Sequence, residues 1–157
     1  MFLKWEDNFI YYLKTMFTIT KEFKWDMAHR LPNHEWKCFN VHWHTYKALI
    51  TFRGVKVHED WAEEWMVKDF WNLKPVKEWI DENRDHAYVW KKWDEVLEFL
   101  KEKGYKTFEF DVSPTAELMS KYLFETIAKD IMWIEAVTVY ETPTSYATYT
   151  YTSDLPF

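Results

Sequence analysis

From Phe17 to His29 the chain alternates in character. Phe17, Ile19, Phe23, Trp25, Met27 and His29 share one parity, with Lys21 the single break, while Thr18, Thr20, Glu22, Lys24 and Asp26 share the other. A period of two predicts a half-buried β-strand, because successive side chains leave the pleat on opposite faces. Residues 42–53 repeat it, with His42, His44, Tyr46, Ala48, Ile50 and Phe52 against Trp43, Thr45, Lys47, Leu49, Thr51 and Arg53. The period then changes. Phe70, Leu73, Val76 and Ile80 recur at three- and four-residue steps, which predicts a helix over 69–83 capped by Asp69. Trp90 to Lys103 reads as a second helix stopped by Gly104, and 106–111 as a short strand. A third helix opens at SPTAE, with Ser113 or Thr115 as cap, Pro114 at its start and Glu117 in the first turn. Glu135–Glu141 and Ser145–Thr152 complete the pattern as two strands joined by a TPT turn. Strands, helices and strands in that order predict an antiparallel α+β domain with helices on one face of the sheet.

Composition narrows the classes. At 157 residues, 48% hydrophobic and 29% charged, the chain has enough apolar material for one domain with its own core. No repeat or Gly/Ser linker divides it, so a single domain is expected over 16–157, with residues 1–15 as an N-terminal extension. The net charge of −6 argues against general nucleic-acid binding, which runs on clustered Lys and Arg. No apolar run reaches the length of a membrane span, and the first residues lack the pattern of a signal peptide. The one cysteine, Cys38, cannot form an internal disulfide and suits a reducing compartment, so a cytoplasmic address is expected. With two glycines and eleven tryptophans, most turns fall to Asn, Asp and Pro.

Chemistry enters at C-x3-H-x-H, Cys38 to His44. The strand period puts His42 and His44 on one face, and His29 lies on the core face of the strand expected to pair with it. Three neutral imidazoles can hold a zinc ion and leave a fourth position open, the arrangement of catalytic zinc; the competing reading is three ordinary strand histidines. His34 and His58 sit in polar surroundings and read as surface residues. Free cysteines are mostly small buried apolar residues. Beside a cation, however, Cys38 would favour its thiolate and could take a proton from an acidified carbon. Asp85–His86 is either a solvated loop pair or a carboxylate-held proton shuttle. Glu141 ends an apolar strand face. It is either a carboxylate in water or an anchor accepting two parallel N–H bonds, as from a pterin or guanine edge.

Taken in order, FKWDMAHRL, C-x3-H-x-H, MVKDFWNLK, Asp85–His86, SPTAE and VTVYETPTSYA belong to a match that runs across nearly the whole chain, from Phe17 to Tyr149. On these blocks the chain resembles the 6-pyruvoyl-tetrahydropterin synthase and 6-carboxytetrahydropterin synthase superfamily of the tunnelling fold. The resemblance implies a four-stranded antiparallel sheet with helices on one face, three subunits joining into a barrel, and two rings stacking as a homohexamer with the active site between subunits. It implies His29, His42 and His44 as Zn2+ ligands, Cys38 as catalytic base, and Asp85 and His86 as the proton relay. Glu141, serving a neighbour's zinc, would grip the pterin, with Thr115 beside it. The three-residue gap between Cys38 and His42 looks like the bacterial carboxy-type enzymes of queuosine and 7-deazaguanine biosynthesis. These convert 7,8-dihydroneopterin triphosphate to 6-carboxy-5,6,7,8-tetrahydropterin with release of acetaldehyde and triphosphate. The sister pyruvoyl-forming reaction is the alternative, and a non-catalytic pterin-binding module is the reading from another class. The chain departs from the family pattern at Trp43, where a glycine is usual, at Leu118 for asparagine, and at Val89 and Trp90 for leucine and asparagine. The 91–104 loop is longer than in the short bacterial members, and residues 1–15 match nothing in the family.

Overall fold

A computed structural model describes residues 17–31, 33–54, 66–131 and 134–150. The expected extension, 1–15, and His58 lie outside the described residues. Six strands form one sheet: β1 (Phe17–His29), β2 (His42–Gly54), β3 (Ala87–Lys91), β4 (Thr107–Phe110), β5 (Ile134–Thr142) and β6 (Ser145–Thr150). Their spatial order is β4-β3-β1-β2-β5-β6. The helices are α1 (Lys74–Asn83), α2 (Glu95–Glu102) and α3 (Ala116–Ile127), with short 3-10 turns at Lys37–Phe39 and Phe70–Leu73. None of the described helices is long and apolar enough to cross a membrane.

The alternating segments fold as their period dictates. β1 and β2 pair antiparallel from Phe17 opposite Gly54 to His29 opposite His42. In that register Phe23, Trp25, Met27 and His29 face the same side as Tyr46, Ala48, Ile50 and Phe52, and all eight are buried. Val76 and Ile80 of α1 and Met119, Leu123 and Ile127 of α3 close over this face. A buried side chain of this size contributes about 1.5–3 kcal/mol by leaving water. β5 extends the sheet with Val137 and Val139 in the same core, and β6 forms its far edge.

The sheet has six strands, not four, and it is mixed rather than antiparallel. β3 runs parallel to β1, with Met27 beside Ala87, and β4 runs parallel to β3 from Tyr88 beside Thr107 to Lys91 beside Phe110. The reason lies in burial on both sides. Ala87, Tyr88, Val89 and Trp90 are all buried, so the strand presents a continuous apolar run with no alternation to read. Ala87 and Val89 join the main core, whereas Tyr88 and Trp90 pack with Leu97 of α2 in a second cluster. Helices therefore cover both faces, α1 and α3 on one and α2 on the other, against the expectation of one.

The predicted helix at 90–103 accordingly starts at Glu95. Asp94 caps it, accepting from the Val96 and Leu97 amides at 3.0 Å, while Arg30 pairs with the other Asp94 oxygen. Gly104, at φ +77°, ends it in the left-handed region that glycine enters without strain. Asp69 caps the 3-10 turn through the Trp71 amide at 2.8 Å, and α1 begins only at Lys74, with Pro75 in its first turn. Thr115, rather than Ser113, caps α3.

Candidate active site

The β1–β2 register that builds the core also builds the site. His29 and His42 are directly opposed, and His44 follows two residues on along the same face. Their ring centroids lie 4.5, 4.9 and 5.4 Å apart, and one nitrogen from each imidazole falls within 4.8 Å of the others. His29 is fully buried; His42 and His44 are half-buried.

The surroundings test whether this trio suits a metal. His29 Nδ1 lies 3.1 Å from the Pro114 carbonyl, and His42 Nδ1 lies 2.8 Å from the Asn40 carbonyl. A carbonyl can only accept, so each Nδ1 carries the proton and each Nε2 keeps a lone pair for a cation. Burial holds the His44 imidazole below its ordinary pKa, with Glu141 opposing, and so favours the neutral form that a metal requires. Three imidazoles, two of them braced from behind, with no thiolate among them fit a zinc site with an open position.

Glu141, at the end of β5, stands beside the triad of its own chain. Its Oε1 is 3.2 Å from His29 Nε2 and 3.9 Å from His44 Nε2. His29, with His44 and His42 adding to its effect, outweighs burial and holds this carboxyl below the usual carboxylate range. The expectation that Glu141 serves a neighbouring subunit's triad is therefore corrected: strand register delivers it to its own.

Tyr46 is the member that sequence reasoning passed over. Its hydroxyl lies 3.2 Å from His29 Nε2 and donates to Glu141 Oε1 at 3.4 Å. Burial pushes this phenol far above its ordinary pKa, with Glu141 and Cys38 adding to the effect, so it remains a donor at any working pH. The signal was present in the strand period, since 42, 44 and 46 share a face. Cys38 sits half-buried in the 3-10 turn before β2, and its carbonyl accepts from the Leu31 amide at 2.7 Å, folding the loop back onto the end of β1. Thr115 is half-buried next to Pro114, and its hydroxyl accepts from the Leu118 amide at 3.4 Å. Trp43 projects from the opposite face, 77% exposed, and leaves the ligand geometry untouched.

Asp85 and His86 form the pair that the sequence predicts but do not join this cluster. His86 Nδ1 lies 3.0 Å from Asp85 Oδ2, and both residues dock on β1 at Asp26. The Asp26 amide donates to Asp85 Oδ1 at 3.0 Å, and the His86 amide donates to the Asp26 carbonyl at 2.7 Å. Burial would raise the Asp85 pKa, but the Asp26 N–H, His86 and Lys77 together hold it below its ordinary value. His86 has φ +57°, an uncommon conformation for a residue with a side chain, and its imidazole is 77% exposed. Local strain on a solvent-facing acid–base residue is the sort of feature retained for function.

A family model described as 6-pyruvoyl tetrahydropterin synthase matches residues 18–152. The chain belongs to that family. The 6-carboxy-5,6,7,8-tetrahydropterin synthase of Haemophilus influenzae is 36% identical over 140 residues, which cover 85% of this chain and 99% of that one. The protein of the same name from Synechocystis is 30% identical over 136 residues, with 85% and 93% covered. Among solved structures, the 6-pyruvoyl tetrahydropterin synthase of Caenorhabditis elegans aligns with a TM-score of 0.63 at 25% identity, over 88% of this chain and 97% of that one. An uncharacterized protein from Wolinella succinogenes aligns with a TM-score of 0.75 at 21% identity, over 87% and 99%, and shows the shared fold.

Proposed function

We propose that the protein is a zinc-dependent lyase acting on 7,8-dihydroneopterin triphosphate. The products would be 6-carboxy-5,6,7,8-tetrahydropterin, acetaldehyde and triphosphate, a step of queuosine and 7-deazaguanine biosynthesis. The observation that carries this reading is the histidine trio, with His29 and His42 braced by carbonyls, beside Glu141 and Tyr46, in a chain whose relatives carry the carboxy-synthase name.

His29, His42 and His44 would hold the metal. Zn2+ there would supply a positive charge that polarises the side-chain hydroxyls of the substrate and acidifies its C–H bonds. Cys38, on the turn leading into β2, would act as thiolate and take a proton from the activated carbon. The contacts of Glu141 all use Oε1; Oε2 is then the oxygen to receive the N–H edge of the pterin, with Thr115 nearby. Tyr46 would keep Glu141 and His29 in register with each other. His86, held by Asp85, would carry protons in the later carbon–carbon cleavage. Because this pair lies apart from the triad of its own chain, it would serve a site completed by a neighbouring subunit. β4 and β6 leave the sheet with two edges, and edge pairing into a trimeric barrel, stacked as a hexamer, would cover them.

The deciding experiment incubates zinc-loaded protein with 7,8-dihydroneopterin triphosphate and identifies products by mass spectrometry. Carboxytetrahydropterin with acetaldehyde is the expected result. Pyruvoyl-tetrahydropterin would move the protein to the sister reaction with the same site. Zinc binding without turnover would make it a pterin-binding module.

A further inference from the structure

Phe39, the residue after Cys38, is 49% exposed and belongs to neither apolar cluster of the fold. Its ring is nonetheless engaged. The guanidinium of Arg30, the residue after His29, lies over it, with Cζ 5.8 Å from the ring centroid. The same guanidinium lies over Trp90, at 5.3 Å. Ring faces attract a cation within about 6 Å.

Arg30 is itself firmly held. Trp90 is buried in the second cluster with Tyr88 and Leu97, and Tyr88 also lies near the guanidinium. Arg30 Nε donates to Asp94 Oδ2 at 3.1 Å, and Nη2 donates to the same oxygen. Asp94 is buried, and its Oδ1 already accepts from the Val96 and Leu97 amides. The carboxylate therefore cannot turn from Arg30 without uncapping α2. Its bond to Arg30 outweighs burial and holds the guanidinium above its ordinary pKa, so the charge is permanent. A lysine could carry that charge, but not the flat face and rigid fork that two rings and one carboxylate engage.

We propose that Arg30 is a positioning residue: anchored on Asp94 and Trp90, it holds Phe39 and so sets the Cys38 turn against the end of β1 that carries His29. Two ties then close the turn. The Leu31 amide, donating to the Cys38 carbonyl at 2.7 Å, fixes the main chain, and the Arg30–Phe39 contact fixes the ring beside the thiol. Both ties start from the two residues that follow His29, so the thiol and the buried imidazole are referred to one point of the chain. The catalytic consequence rests on the lyase reading, in which Cys38 takes the proton; the clamp itself does not.

Phe39→Leu removes the ring and leaves the Arg30–Asp94 pair intact. In the zinc-loaded protein, hydrogen exchange read by mass spectrometry should show the amides at positions 31, 34, 39 and 40 losing about 3–30-fold in protection, the worth of one cation–π contact. The amides of β2 and β5 should keep theirs. On 7,8-dihydroneopterin triphosphate, kcat should fall by about 10-fold or more, since a misplacement of order 1 Å costs up to about 100-fold, with KM and zinc content unchanged. Arg30→Lys should act alike, and the double variant should be no worse than either single one, because both break the same contact. Phe39→Tyr keeps a ring and should restore protection and kcat together. Should Arg30→Lys not fold, the two Phe39 variants decide. Unchanged exchange in Phe39→Leu, losses that add, or faster exchange at full kcat would each overturn the proposal. Absence of turnover in the wild-type protein would instead sink the lyase reading, and exchange alone would then decide the clamp.

Discussion

His29 with Glu141 and His86 with Asp85 are the same chemical pair at nearly the same separation, 3.2 and 3.0 Å, in opposite settings. The first imidazole is fully buried in a strand, braced by Pro114 and bonded to Tyr46; the second is 77% exposed at a strained backbone position. The distance between partners therefore says little about role. The surroundings decide it: one pair is locked into a cluster complete within its chain, and the other is held ready on the surface. The first should be inseparable from stability and metal content, the second separable from both.

His29→Ala should have the largest effect. Metal content should fall from about one zinc per chain to near none, with turnover lost. Stability should drop by about 1–3 kcal/mol for the buried Pro114 carbonyl left unsatisfied, since the Tyr46 hydroxyl keeps Glu141. Metal analysis and denaturant titration read the two losses separately. Retention of zinc would break the comparison at its stronger member.

His86→Gly sharpens it from the other side. Turnover should fall about 10²–10⁴-fold, the usual worth of a positioned proton-transfer group, while zinc content is unchanged. Glycine accepts φ +57° freely, so the variant should melt no lower than the wild type and as much as about 1 kcal/mol more stable. Activity and stability would then move in opposite directions, the sign of strain retained for use. A clear loss of stability would show that His86 is structural after all.

These contrasts also explain what could be read before the structure. The alternation of 17–29 and 42–53 is strong because each strand has one buried face, and the same alternation places His29, His42 and His44 together once the strands are paired. β3 was hidden, since Ala87 to Trp90 are buried on both faces and carry no period, and Trp90 was drawn into a helix that starts at Glu95. Tyr46 looked like another core aromatic until its hydroxyl met His29 and Glu141. Arg30 was least legible of all. A charged residue after His29 reads as surface, and only the packing of β3 and α2 brings it a carboxylate and a buried ring. The distance between Asp85–His86 and the triad is likewise a property of strand order, which the local pattern does not encode.

Tyr46→Phe probes the bracing of the buried pair with a smaller effect. It deletes one hydroxyl and keeps the ring stacked on Trp25. Since Nε2 of His29 is the nitrogen left for a metal, the hydroxyl's lasting partner is Glu141, so zinc content should be unchanged while stability falls by about 0.5–1.5 kcal/mol, the net worth of one hydrogen bond. Metal analysis and denaturant titration measure the two, and loss of zinc would mean that Tyr46 holds His29 for the metal.

Asp85→Asn should give the smallest effect, and its pH dependence carries the information. The folded protein holds the Asp85 pKa below the ordinary carboxylate value of 3.8. The stability gained from its charged form is thus fully present above that value and is lost as pH falls through the lower folded value. Asparagine keeps an acceptor for the Asp26 amide but not the charge beside His86. The variant should therefore be less stable at neutral pH by about 0.2–1 kcal/mol, the worth of an exposed ion pair. The gap should close below pH 4 as the wild-type carboxylate takes up its proton. A gap that persists into acid would assign the contribution of Asp85 to its geometry rather than its charge, and the exposed pair would then resemble the buried one more than its surroundings predict.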